Sequence, residues 1–270
     1  MLIAQMSDPH FMPEDVRLFG RLDTAGYLER AVAHLNALAP DAVLITGDLT
    51  NDGDAQAYAA FAAIVDRLRA PFFVLAGNHD DCELVRARFA GCLPGSGPLC
   101  YAIDRFALRL IALDTLVSGE PWGRLGPEQL AWLDATLGEA PDRPTLVALH
   151  HPPFRTGIGH LDRSMLRDAD GLAAVIGRHP QVERVVCGHV HRAIQCRFAG
   201  TLAQSAPSCA HQAELVLGAA EATWICEPPA VLLHWWDPAG GLVSHVSMIG
   251  EYGPAGRFSD PHVLASQASR

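Results

Sequence analysis

Five short apolar runs in this chain stop at the same few polar residues, and that pattern constrains the fold more than any other feature. LIAQM (2–6) runs into Ser7-Asp8-Pro9-His10, AVLIT (42–46) into Gly47-Asp48, and PFFVLA (71–76) into Gly77-Asn78-His79. TLVAL (145–149) meets His150-His151-Pro152, and VERVVC (182–187) meets Gly188-His189-Val190-His191. Short apolar runs bounded by turn residues read as buried strands. Helical patterns separate them: Leu28, Ala31, Val32, Leu35 and Leu38 after Asp23; Tyr58, Phe61, Val65 and Leu68 after Asp54; Leu130, Leu133 and Leu137 after Pro127; and a further helix around 164–178. Strands alternating with helices predict an α/β architecture. YAIDRFALRLIALD reads as a hairpin, and the chain from QCRF onward reads as strand-rich and antiparallel. Ligands of open α/β sheets gather at the carboxyl ends of strands, so five such endings are expected to converge on one crevice.

Each ending taken singly is equally well explained as loop chemistry, because Asn, Asp and Gly suit turns. Five in order, each after a strand, are not. The seven cysteines (Cys82, Cys92, Cys100, Cys187, Cys196, Cys209, Cys226) form no CxxC pair and are odd in number, which points to reduced thiols and away from cysteine-held zinc. Histidine, of which there are 13, and carboxylate remain as donors. Such donors suit Zn, Mn, Fe or Co, and a bridging carboxylate holds two ions close together. Asp and Glu outnumber Lys and Arg by 30 to 20, a formal charge of -10, which argues against a long basic groove for nucleic acid. The first residues lack a basic flank and no apolar run approaches a membrane span, so a cytoplasmic location is expected, without membrane partners.

In order, the endings resemble the motif series of the calcineurin-like metallophosphoesterases: DxH at Asp8-Pro9-His10, GDxx[DN] at Gly47 to Asn51, GNH[DE] at Gly77 to Asp80, HxP at His150 to Pro152, and GHxH at Gly188 to His191. SDPHF, LFGRLD, GDLTNDG, LAGNHDD, HHPP and CGHVH are most similar to the bacterial class III cyclic-nucleotide and glycerophosphodiester phosphodiesterases. The resemblance implies a sandwich of two mixed β-sheets flanked by helices, the four-layer αββα type. It implies one metal held by Asp8, His10, Asp48 and His191, and a second by Asp48, Asn78, His150 and His189, with Asp48 bridging. Two divalent ions would then outweigh the two carboxylates and a bridging hydroxide by one charge. An Asp in place of Asn78 would cancel that excess, so the neutral amide keeps the site attractive to phosphate. The ions would activate a water and clamp phosphoryl oxygens during in-line attack.

Within the family His79 points at the substrate phosphate, where it either donates a proton to the leaving oxygen or orients the phosphoryl group. Asn51 stands where monoester-cleaving relatives have an acid; it is either a donor to a phosphate oxygen or a turn residue. Phe19 and His211 are the pocket candidates by looser similarity, His211 with an ordinary loop role as the alternative. Asp80 and Asp81 are expected to begin the next helix, where acids favour the positive end of the dipole. His151 is expected behind the ligands, His34 and His179 on helix surfaces, and His160, His234, His245 and His262 carry no assignment.

The organisation expected is a catalytic core over 1–205, a cap or dimerisation arm over 206–229, strands completing the core over 230–249, and a tail over 250–270 that packs on a partner subunit. The arm and tail make a homodimer or higher homo-oligomer the expected state, since a long irregular segment needs something to bury it. The expected activity is hydrolysis of small phosphodiesters with two divalent ions. A phosphomonoesterase or nucleotidase of the same fold is the alternative, followed by a non-catalytic scaffold, which should have lost ligands; here none is missing.

Overall fold

Strand alternation sets the layers of this protein, known here from a computed structural model that describes residues 1–257 apart from Glu14, Cys92, Ala219, Pro254 and Ala255. In β1 (Leu2–Met6), Ile3 joins one apolar cluster while Ala4 and Met6 join another, as a period of two requires. The chain continues through α1 (Thr24–Leu38), β2 (Ala42–Thr46), α2 (Ala55–Val65), β3 (Phe72–Leu75) and α3 (Cys82–Arg88). A hairpin, β4 (Tyr101–Ile103) and β5 (Arg109–Ala112), leads to α4 (Gly126–Gly138), β6 (Thr145–Ala148), α5 (Ala169–Ile176) and β7 (Val182–Cys187). Then come β8 (Ile194–Phe198), β9 (Thr201–Ser205), the two-residue strands β10 (Gln212–Ala213) and β11 (Trp224–Ile225), and the long hairpin β12 (Ala230–Asp237) and β13 (Gly241–Met248).

Two mixed sheets result. The first runs β13-β12-β1-β2-β3, parallel from β1 to β3 and antiparallel beyond β1 on the other side. The second runs β4-β5-β6-β7-β9-β8. Ile3, Leu44, Leu75, Leu110, Leu146 and Val186 fill the space between the sheets. The outer face of the first sheet buries Leu28 and Leu35 of α1 and Tyr58 and Phe61 of α2; that of the second buries Leu133 and Leu137 of α4 and Leu172 of α5. At about 1.5–3 kcal/mol for each large apolar side chain, these three clusters hold four layers in register, the αββα arrangement expected.

The helix starts follow local chemistry. Asp23 accepts from Gly26 N, Asp54 from Gln56 N and Ala57 N, and Asp81 from Glu83 N and Leu84 N, each cap contributing about 1 kcal/mol. Several expectations differ from what is found. The helix expected over 164–178 is only α5, preceded by a single 3-10 turn at Leu161–Arg163, because the Asp168 carboxylate accepts from Leu125 N and Gly126 N instead of capping its own helix. His179 follows α5 and pairs with Asp134, and His34 in α1 bonds Ser247 of β13, so neither is a free surface residue. Of Asp80 and Asp81 only the second starts α3. In the tail, 254–255 and 258–270, with His262, lie outside the described residues, as does Cys92; the other six cysteines are free thiols.

Candidate metal centre

Strands β1, β2, β3, β6 and β7 all end at one edge of the sandwich, and the chain turns sharply there. Asp8, His10, Asp48, His189 and His191, five of the seven expected ligands, have φ between 42° and 69°, a left-handed conformation that non-glycine residues rarely adopt. Such strain persists only where surrounding structure over-determines it, and it concentrates at functional sites. The motif glycines are needed for room: a Cβ on Gly47 would collide with His150, on Gly77 with Asp48, and on Gly188 with Ser7 and Asp8. Each glycine admits a side chain delivered by a different strand.

Two groups of donors form. Asp8, His10, Asp48 and His191 are all buried and offer ligand atoms within 4.8 Å of one another. In the second, the Asn78 amide oxygen lies 2.9 Å from His189 Nδ1 and 3.3 Å from His150 Nε2. Asp48 Oδ2 reaches both groups, 3.3 Å from His10 Nε2 and 3.5 Å from His150 Nε2. Its other oxygen accepts from His79 N.

Hydrogen-bond direction settles which ring nitrogens are free. A carbonyl only accepts, so His150 Nδ1–H donates to Thr46 O at 2.7 Å and His191 Nδ1–H to His211 O at 3.0 Å, which leaves Nε2 of each ring as the nitrogen turned to the other donors and able to take an ion once any proton on it has left. His10 Nδ1–H donates to Asn51 Oδ1 at 3.2 Å, and the Asn51 amide is oriented by donating to Asp52. His189 is reversed. Ser164 Oγ donates to Leu161 O and accepts from His189 Nε2–H, so Nδ1, the atom facing Asn78, is free. All four free nitrogens face other donors, which is what a pair of metal sites requires.

The electrostatics agree. Burial opposes ionisation of Asp8 and Asp48, yet the surrounding imidazoles, His191 for Asp8 and His150 for Asp48, outweigh it and hold both carboxyls below the usual range. Burial pushes His10 to about 4 and His189 to about 3, keeping them neutral. His150 goes the other way: burial lowers it, but Asp48 beside it raises it to about 9.

His79 is exposed beside His10, ring centroids 4.6 Å apart, and its Nδ1–H donates to Asn51 O. Asn51 thus steers two histidines, one through its amide oxygen and one through its carbonyl. His151 packs on His150 and His189 and pairs through Nδ1 with the Thr115 hydroxyl. Asp80 has a part the sequence did not suggest. Buried, it accepts from Leu49 N, Gly77 N and the Tyr58 hydroxyl, fastening the loop after β3 to the loop after β2. Burial and neighbouring Asp48 raise its carboxyl to about 6 against those donors.

A cavity of about 320 Å³ opens over the donors, lined also by Asn51, His79, Phe19 and His211. It shares Phe19, His189, His191 and His211 with a second cavity of about 430 Å³ whose far side is Leu161, His160 and Trp224. Phe19 stacks on Trp224 at 5.2 Å, and the His211 ring stands edge-on to Phe19. Trp224, Ser164 and the anchoring carbonyls of Thr46 and His211 are parts of the site that the sequence reading did not single out.

Comparisons with known proteins point the same way. A family model described as calcineurin-like phosphoesterase matches residues 1–193. A glycerophosphodiester phosphodiesterase of Enterobacter lignolyticus is 34% identical over 240 residues, 87% of this chain and 86% of that protein. A 3',5'-cyclic adenosine monophosphate phosphodiesterase of Escherichia coli is 32% identical over 211 residues, 76% and 75% of the two chains. Among solved structures, a dimetal phosphatase from Danio rerio superposes with a TM-score of 0.65 at 13% identity, covering 93% of this chain and 99% of that one.

Proposed function

The chain belongs to the calcineurin-like phosphoesterase family, and on that footing we propose that it is a dinuclear metal-dependent phosphodiesterase acting on small diesters of the glycerophosphodiester or cyclic-nucleotide type. The observation that carries this is Asp48, whose carboxylate faces His10 of one donor group and His150 of the other. One ion would be held by Asp8, His10, Asp48 and His191, the other by Asp48, Asn78, His150 and His189. Imidazole, carboxylate and amide donors without thiolate suit Mn, Fe, Zn or Co. When bound, the ions supply Lewis acidity, acidifying coordinated water and drawing charge from phosphoryl oxygens.

The residues themselves bind, orient and move protons. Asn78 contributes a donor without charge, which keeps the centre attractive to a phosphodiester anion. His79 has its backbone N–H on Asp48 and its Nδ1–H on Asn51 O, so the side chain is held from one end and Nε2 is the end left for substrate. A proton on that nitrogen passes to the leaving oxygen, the step an alkyl diester most needs. Phe19 and His211 would flank the organic part of the substrate in the cavity they line. The core is the 1–205 segment completed by 230–249. The arm over 206–229 exposes Leu215, Val216, Leu217 and Ile225, a surface that supports a homodimer through the arm. Six free thiols support a reducing, cytoplasmic setting, and no helix among the described residues is long and apolar enough to cross a membrane.

Full-length protein stripped with chelator is expected to lose hydrolysis of bis(p-nitrophenyl) phosphate and to regain it with Mn, Co or Zn, p-nitrophenyl phosphate being the slower substrate. Full activity in verified metal-free protein removes the metals from the reaction. Faster monoester cleavage makes the chain a phosphomonoesterase or nucleotidase, and no cleavage of either compound with two ions bound makes it a scaffold.

A further inference from the structure

One polar residue interrupts the apolar run of β1. Gln5 lies between Ala4 and Met6 and, by alternation, shares with Ile3 the face turned toward the second sheet. It has no solvent exposure. A buried amide is costly unless its hydrogen bonds are made, and here they are. Gln5 Nε2 donates to Thr46 Oγ1 at 3.0 Å and to Cys187 O at 2.9 Å, and Oε1 accepts from His234 Nε2 at 3.1 Å. The Cys187 carbonyl only accepts, so the amide has one orientation. His234 is fixed in turn, its Nδ1 accepting from the Ser244 hydroxyl, which also takes a hydrogen bond from Arg184.

The partners' positions in the chain give these bonds their meaning. Asp8 follows Gln5 on β1, Asp48 follows Thr46 on β2, and His189 and His191 follow Cys187 on β7. The Thr46 carbonyl also fixes His150. β1 and β2 are joined by their own ladder, but β7 belongs to the other sheet, and the apolar side chains packed between the sheets are not directional. Directional bonds also cross the sheets at the ligands themselves, from His189 N to Asp8 and from His150 Nδ1–H to Thr46 O, and on β7 from Arg184 to Ser244. Behind the ligands, where dispersion and burial tolerate small sliding, Gln5 is the group that reaches β2 and β7 at once. Ligand distances tolerate only about 0.2 Å.

We propose that Gln5 is a positioning residue for the metal centre: its carboxamide ties the ligand-bearing ends of β1, β2 and β7 across the sandwich and sets the spacing of both donor groups. This rests on the metal reading above. It assigns the chain of buried Gln5, buried His234 and half-buried Ser244 a graded part, strongest at Gln5 and absent at Ser244, which touches neither Thr46 nor Cys187 among the bonds described.

The test titrates the stripped full-length protein with Co(II), following calorimetry and the visible spectrum, for wild type, Gln5→Met, Thr46→Val and Ser244→Ala. Gln5→Met keeps the length and removes all three bonds; it is expected to weaken Co(II) binding about tenfold or more and to change the spectrum, with a cooperative melt retained. Thr46→Val, which removes one of the two acceptors, is expected to give a smaller shift in the same direction. Ser244→Ala is expected to lower the melting temperature and leave affinity and spectrum unchanged. Wild-type affinity and spectrum in Gln5→Met overturn the proposal, as does a loss in Ser244→Ala equal to that in Gln5→Met. If Gln5→Met does not fold, unchanged binding by Thr46→Val overturns it and weakened binding supports it. A wild type that takes up no Co(II) overturns the metal reading itself.

Discussion

On one side of the cavity Asp8, His10, Asp48 and His150 are at most 5% exposed, and every histidine among the seven donors has its second ring nitrogen on a named partner. On the other side Phe19 is 55% exposed, and the rim is held by scattered contacts. Arg192 bonds Ala213 O and pairs with Glu227, Arg163 donates to Ala220 O, and Gly218 N to Gly157 O. The donor side grows out of strand ends fixed by two sheets and three apolar clusters. The rim grows out of the later part of 206–229, beyond a buried start at 206–213 that bonds Asp8 and His191, and the regular structure of the whole segment is two strands of two residues. The donor side is thus fixed by buried, directional contacts, and the rim by fewer and more exposed ones.

The largest effect expected on this contrast is at His79, which belongs to the donor side by its bonds and to the cavity by its exposure. His79→Ala should cost on the order of 10²-fold or more in kcat/KM for alkyl diesters and little for p-nitrophenyl diesters, whose leaving group departs unaided. A series of graded leaving-group pKa gives a steeper line for the variant; parallel lines make His79 a binding group only. Next is Asp80→Ala, which strands Leu49 N, Gly77 N and the Tyr58 hydroxyl and should destabilise the fold by about 2–3 kcal/mol in denaturant unfolding. A loss no larger than that of a surface substitution would mean the two loops are held in place without it.

Smaller effects belong to the rim. Trp224→Ala should change KM by about tenfold at most and differently for different diesters, with metal content and kcat on p-nitrophenyl diesters unchanged; a loss of metal would erase the distinction between the two sides. The pH response belongs to the donor side. Asp48 holds a proton on His150, raised to about 9, and Asp8 raises His191 in the same direction, whereas His10 and His189, at about 4 and about 3, are already free. A proton must leave His150 when its ion binds, so affinity rises with pH and levels off above about 9. Calorimetry in buffers of different ionisation enthalpy should find about one proton released from this ligand at pH 7 and none at pH 10.

The donor side was legible because its residue types are rare at strand ends and recur in a fixed order; Asp8, Asp48 and His191 stand out against Ile3, Leu44 and Val186. Helix starts at Asp23, Asp54 and Asp81 were legible for the same local reason. Asp80 was not, since two adjacent carboxylates look alike until backbone geometry sends one to the cap of α3 and the other beneath Leu49. The carbonyls of Thr46 and His211 leave no trace in sequence, because every residue has one. Ser164 lies in a loop without periodicity. The apolar positions Leu166, Leu172 and Val175 mimic one long helix although Leu166 bridges to Gly123 and only the later two belong to α5. Gln5 did leave a mark, a single polar residue inside LIAQM, whose meaning depends on a partner 182 residues away.

Whether two ions share Asp48 is tested most directly by counting them. Metal analysis of reloaded protein should find two ions per chain in the wild type, one in Asn78→Ala, which removes a donor from the His150 and His189 group alone, and none retained tightly in Asp48→Ala. A single ion in the wild type, or equal loss of both from Asn78→Ala, would contradict the shared centre.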